Sequence, residues 1–181
     1  MKTEKKYRIL EIGTGIRFPV YECLLEKRLK QPNKSLPSYT GMDINPETIK
    51  RAKIILKNSD KFPNFSFVCA DAISPLPFED ECFDTVYCNM LTLKGSNYLR
   101  KTNESYPNLL KEVKRILKLN GNFYISADHT FFTTSEVDYT KLQQTLKSIF
   151  GYILELDPVN SLKPYSCWSM FSEFCAICKK R

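Results

Sequence analysis

Glu11-Ile-Gly13-Thr-Gly15 places a carboxylate two residues ahead of the first of two glycines, and one residue separates those glycines. Glycines at that spacing let the backbone turn sharply and approach a ligand, because no Cβ stands in the way. Two further carboxylates, Asp43 and Asp71, close short apolar runs later in the chain. An ionised carboxylate accepts hydrogen bonds and donates none. Asp43 therefore suits the two hydroxyls of a ribose, and Asp71 suits an adenine amino group. Ile44 would lie against the ring, with the backbone amide of Ala72 beside it. The chemistry expected of this set is the binding of an adenosine.

The elements around these residues can be read from pattern. Tyr7 to Ile12 is an apolar strand, and Pro19 to Lys30 reads as a helix opened by proline at its first position. Ser38 to Ile44 is a second strand closing on Asp43. Asn45-Pro46-Glu47 then supplies a cap, a first-turn proline and an early acid. The helix that follows carries Ile49, Ala52, Ile55 and Leu56 as its apolar positions. Phe65 to Asp71 repeats the pattern of a strand ending in an acid. Strands in a parallel sheet end at one edge, so Glu11, Asp43 and Asp71 should meet around one crevice.

The second half continues with a strand at Phe83 to Cys88 and a polar connection over 92–105 containing Lys94, Arg100 and Lys101. Leu109, Leu110, Val113, Ile116 and Leu117 mark one face of a helix. Gly121 is its expected C′ residue, and Lys114, Arg115 and Lys118 complement its C-terminal dipole. These cations, and Lys50, Arg51, Lys53 and Lys57 on the earlier helix, read first as solvated faces. A strand at Phe123 to Ala127, a helix from Val137 to Phe150, and strands at Tyr152 to Leu156 and Phe171 to Cys178 complete the pattern.

With those motifs in that order the chain resembles the class I S-adenosylmethionine-dependent methyltransferases. The resemblance rests on Glu11-Ile-Gly-Thr-Gly15, Gly41-Met-Asp43-Ile-Asn-Pro46 and Ala70-Asp71-Ala72. It continues through Pro77-Phe-Glu-Asp-Glu-Cys-Phe-Asp-Thr-Val86 and Leu110-Lys-Glu-Val-Lys-Arg-Ile-Leu-Lys-Leu-Asn-Gly121, and so spans nearly the whole chain. It implies an α/β fold, a doubly wound seven-stranded sheet, mostly parallel with the last strand antiparallel, and helices on both faces. It also implies S-adenosyl-L-methionine as cofactor. The binding residues would be Glu11, Gly13, Thr14, Gly15, Asp43, Ile44, Asp71, Ala72, Asn89 and Met90. Arg17 stands where many members carry a third glycine, and only a handful of charged residues precede Tyr7, where relatives often carry helices. The Asn/Asp-Pro-Pro-aromatic signature of many nucleic-acid amino methylases is absent too.

Methyl transfer from a sulfonium depends mostly on alignment with the nucleophile, and a base is needed only if the acceptor must lose a proton. Asn89, after the fourth strand, is the candidate for orienting an acceptor amine. His129 is the only histidine, follows the fifth strand and is the candidate base; an exposed loop histidine without a role is the alternative. Cys175 and Cys178 have the spacing of half a metal site, but a strand sends side chains three apart to opposite faces, so both read as structural. No metal is expected. A nicotinamide-dependent oxidoreductase fits less well. Phe18 fills the third-glycine place of G-x-G-x-x-G, and Asp43 falls later than the usual acid, about 20 residues beyond the glycines. A non-catalytic subunit that keeps the fold is a further alternative.

At 181 residues and 43% hydrophobic, the chain suits one domain over 1–181. No apolar run reaches the roughly 18 to 20 residues of a membrane span, and no membrane partner is expected. Seven scattered cysteines argue for a reduced, cytoplasmic setting. The net charge of +7 and the uncovered site favour a large anionic acceptor, RNA or protein ahead of a small metabolite. Tyr165 and Trp168 could stack on a planar substrate. An oligomer or a partner chain could supply the missing cover.

Overall fold

The computed structural model of the chain describes residues 6–15, 37–57, 64–88, 105–128, 139–156 and 172–180. In chain order these form β1 (Arg8–Ile12), β2 (Ser38–Asp43), α1 (Pro46–Lys57), β3 (Phe65–Cys69), β4 (Phe83–Cys88) and α2 (Ser105–Ile116). There follow β5 (Leu117–Asp128), α3 (Tyr139–Phe150), β6 (Ile153–Leu156) and β7 (Ser172–Lys179). The expected helix over Pro19 to Lys30 lies outside the described residues.

The strands make one seven-stranded sheet in the order β3-β2-β1-β4-β5-β7-β6. β1 to β5 are mutually parallel, and β7 runs antiparallel between β5 and β6. This is the doubly wound arrangement that the resemblance implies. The chain winds one way from β2 through α1 to β3, and the other way from β4 through α2 to β5. Right-handed crossovers in opposite directions put their helices on opposite faces.

Side-chain alternation divides the sheet accordingly. Leu10, Ile12, Met42, Val86, Phe123 and Ile125 form one buried cluster with Leu109, Leu110, Val113 and Ile116 of α2 and Leu142, Leu146 and Phe150 of α3. The other face carries Ile9, Glu11, Tyr39, Phe67 and Tyr87, all buried. α1 packs on β2 and β3 through Ile49, Ala52 and Leu56. Ile55, read from the sequence as part of that apolar face, is 51% exposed.

Two local expectations change. α2 ends at Ile116, and Gly121 is not its C′ residue but part of β5. Leu117 pairs with Phe83, and a register shift follows before Thr85 meets Asn122. The irregular turn this creates is made by Asn120 with φ 63°, a conformation that asparagine tolerates. A Cβ on Gly121 would stand 2.8 Å from the Lys118 carbonyl oxygen, so glycine is needed there for space.

The cations read from the sequence as belonging to this helix also do more than face water. Arg115 donates to the carbonyls of Leu76 and Phe78 and pairs with Asp80 and Glu112. Glu112 in turn accepts the Leu76 amide at 2.8 Å. Together the pair clasps the connection between β3 and β4, and the Arg115 guanidinium holds the Glu112 carboxyl below its ordinary range. Lys118 pairs with Asp84 at 2.6 Å, and the same carboxylate oxygen of Asp84 accepts the Arg8 amide. Lys114 reaches the Ile149 carbonyl on α3.

Candidate cofactor site

The site begins where β1 runs out. Gly13 and Gly15 both adopt positive φ, 73° and 58°, in which a side chain would be strained. The turn they make closes back on β2. The amides of Gly13 and Thr14 donate to the Met42 carbonyl at 2.8 and 3.1 Å, and the Gly15 amide donates to Asp43 Oδ2 at 3.1 Å. A dinucleotide pyrophosphate needs such N–H groups pointing outward at a helix N-terminus. Here three consecutive amides point inward, an arrangement suited to a ligand without phosphate.

Asp43 ends β2 and is half-buried. Its Oδ1 accepts the Asn45 amide at 2.9 Å while Oδ2 takes the Gly15 amide. Each carboxylate oxygen has a second lone-pair direction for a ligand hydroxyl. Asp43 therefore serves the fold as well as any ligand. Ile44, its neighbour, is 51% exposed and offers an apolar surface at the same edge. Asn45 caps α1 by accepting the Glu47 amide at 3.0 Å.

The Ala70 amide donates to the Asp43 carbonyl at 3.1 Å, bringing the end of β3 alongside the end of β2. Asp71 follows directly. Its Oδ1 accepts the Ile73 amide and its carbonyl accepts the Ser74 amide, making a tight turn in which Ala72 is partly buried. Asp43, Ile44, Asp71 and Ala72 thus lie together on the carboxyl edge of the sheet.

Glu11 is placed differently. Its carboxylate is wholly buried on the sheet face that also carries Tyr39 and Tyr87. Oε2 accepts the Tyr39 hydroxyl at 2.6 Å and lies 3.5 Å from the Thr14 hydroxyl, which is 2.7 Å from the Tyr39 oxygen. The three carboxylates therefore divide into two at the accessible edge and one beneath the glycine turn. Beside this group, at the end of β4, the thiol of Cys88 is pushed up to about 12 by burial and then by the nearby Glu11 charge, so it stays a neutral thiol.

Tyr39 and Gly41 were not among the residues singled out from the sequence as ligands or supports. Gly41 sits inside β2 opposite Glu11 on one side and Phe67 on the other. A Cβ there would come 2.7 and 2.8 Å from two atoms of the Phe67 ring and 3.1 Å from Thr14 Cγ2. A glycine within a strand is the available signal of such a close approach. Tyr39 gave no signal, because its role depends on pairing with Ile9, which sets it near Glu11 on the same face. Asn89, Met90 and His129 lie outside the described residues, as do Arg17, Lys94, Arg100, Lys101, Tyr165 and Trp168. Among the described residues no cluster of side chains could hold a metal ion.

Comparison with known proteins bears on this geometry. Residues 3–159 match the family described as a methyltransferase domain. A probable phthiotriol/phenolphthiotriol dimycocerosates methyltransferase 2 of Mycobacterium ulcerans is 38% identical over 86 residues, 48% of this chain and 28% of that protein. The chain thus covers less than a third of that relative's own length. Among solved structures, the YcgJ protein of Bacillus subtilis aligns with a TM-score of 0.68 and 14% identity, covering 99% of this chain and 94% of that one. An S-adenosylmethionine-dependent methyltransferase from Methanosarcina mazei aligns at 0.62 and 17%, covering 98% and 94%. At such identities the structural likeness is one of fold.

Proposed function

This chain belongs to the methyltransferase-domain family, and from that premise we propose that it is an S-adenosylmethionine-dependent methyltransferase. The finer reading concerns which residues hold the donor and what receives the methyl group. Asp43 is assigned the ribose hydroxyls, Asp71 and the Ala72 amide the adenine edge, and Ile44 the ring face. Gly13, Thr14 and Gly15 are assigned to support of the methionine portion, with Glu11 beneath them and Asn89 and Met90 beside it. The single observation carrying this reading is the inward-turned glycine loop tied to a half-buried Asp43. It leaves carboxylate oxygen for hydroxyls, and the described amides of Gly13, Thr14 and Gly15 are turned away from any pyrophosphate. When bound, the donor supplies a methyl group already activated on a sulfonium. The protein's own part is to position, to exclude water and, for a hydroxyl acceptor, to take up a proton, a role assigned to His129.

For the acceptor, the Mycobacterium ulcerans relative is named for phthiotriol and phenolphthiotriol dimycocerosates. From that name we carry over an apolar molecule bearing a hydroxyl. RNA or protein, expected from the charge, is supported by the +7 balance alone. The test is transfer of labelled methyl from S-adenosylmethionine to separate organic-extract, RNA and protein fractions of the source cells. Label in the organic extract, lost in Asp43→Ala, is the expected result. Label in RNA or protein instead would overturn the acceptor reading while leaving the donor reading intact. No label and no S-adenosylhomocysteine binding would overturn both.

A further inference from the structure

The inward side of α1 is fully accounted for by Ile49, Ala52 and Leu56. Its outward side is unusual in composition. Lys50, Arg51 and Lys53 are exposed there, and after them stand Ile54, 56% exposed, and Ile55, 51% exposed. Residues three or four apart are neighbours on a helix, so Arg51 flanks both isoleucines and Lys50 flanks Ile54. After Glu47 the helix contains no acid. Isoleucine is a weaker helix former than lysine, glutamine or glutamate at an exposed position. Neither packing nor helix propensity therefore explains two adjacent isoleucines in this setting.

We propose that the outward face of α1 is a docking surface for an anionic lipid bilayer. Cations beside aliphatic side chains match such a surface at two depths. The charges meet lipid phosphates, and the isoleucines enter the boundary between headgroups and acyl chains. RNA would use the cations, but it takes planar aromatic groups for stacking, and isoleucine offers none. The twelve residues of α1 are too few to cross a membrane, so the helix lies on the surface rather than in it. α1 starts three residues after Asp43, and Lys50 to Ile55 lie about 6 to 14 Å further along its axis, away from the carboxyl edge. The inference is independent of the identity of the methyl acceptor.

The test is sedimentation of the full chain with vesicles of phosphatidylcholine alone and of phosphatidylcholine mixed with phosphatidylglycerol. The chain should pellet with the mixed vesicles, not with the neutral ones, and less as salt rises. Lys50→Gln, Arg51→Gln and Lys53→Gln combined should weaken binding by about a hundredfold, from roughly fivefold per cation. Ile54→Ser with Ile55→Ser should weaken it by about tenfold or more, as aliphatic burial is lost. Both variants should melt near the wild-type temperature, since all five residues are exposed. No pelleting with mixed vesicles, equal pelleting with neutral ones, or unaltered binding by either folded variant would overturn the proposal. So would filter retention of total RNA that is lost in the charge variant and unchanged in the isoleucine variant, alongside no vesicle binding.

Discussion

The hydroxyl of Tyr39 donates to Oε2 of Glu11 at 2.6 Å, joining β2 to β1 through a carboxylate with no exposed surface. With its proton directed there, the Tyr39 oxygen accepts from Thr14 of the glycine turn at 2.7 Å. The phenol thus connects the Glu11 carboxylate to the loop above it, beside the direct 3.5 Å contact of Thr14 with the same oxygen.

Removing that phenol is the sharpest test of the connection. Tyr39→Phe keeps the ring and deletes a hydrogen bond to a charged group, which should cost about 1.5 to 3 kcal/mol of stability. Urea unfolding should show a lower midpoint with an unchanged slope. A midpoint equal to wild type would mean that Glu11 is satisfied without Tyr39.

Gly41→Ala should destabilise by about 1 to 3 kcal/mol, because the new Cβ would stand 2.7 Å from the Phe67 ring. Phe67 is itself packed by Tyr39 and Phe65 and has little room to retreat. Shrinking it should relieve the clash, so Gly41→Ala with Phe67→Leu should cost less than the two single changes added together. Strict additivity would show that the strain is relieved elsewhere.

Asp43→Ala should weaken S-adenosylhomocysteine binding by about 1.5 to 3 kcal/mol, as read by calorimetric titration. It should also lower the melting temperature of the ligand-free protein, because the amides of Gly15 and Asn45 lose their acceptor. That second effect corrects the simpler view of Asp43 as a residue for the ligand alone. An unaltered affinity would remove the ribose assignment.

The clasp between Glu112 and Arg115 should appear in acid. The Glu112 carboxyl is held below its ordinary value of 4.5, first by the Arg115 hydrogen bond. The stability it contributes is present above that value and is lost as pH falls through the lowered one. Glu112→Gln should therefore reduce the unfolding midpoint at neutral pH and flatten its decline in acid. A variant whose decline in acid parallels wild type would show that the pair contributes no pH-dependent stability.

Much of this arrangement can be read directly from residues. Asp43 and Asp71 stand out because a charge closing an apolar run must lie at a strand end, and parallel strands end together. β4 keeps the limits that its apolar run suggests, β2 ends one residue sooner than expected, at Asp43, and α1 starts at the proline that Asn45 announces. What stayed hidden depends on contacts across the sheet. Tyr39 reads as an ordinary strand aromatic until pairing with Ile9 sets it near Glu11. Arg115 reads as one cation among several until the β3–β4 connection folds over it. Gly121 reads as a helix stop, since a glycine kept for close approach to the Lys118 carbonyl looks the same as one kept for its dihedral angles.

The inward hydrogen bonds of Gly13, Thr14 and Gly15 have a thermodynamic consequence. A loop that must be ordered by its ligand sacrifices affinity to the entropy of fixing its backbone. This turn is already fixed by Met42 and Asp43. Donor and spent cofactor would meet the same preformed surface, and discrimination between them must come from the transferred methyl and its charge rather than from closure of this turn. Turnover can then proceed without the glycine turn folding and unfolding at each cycle.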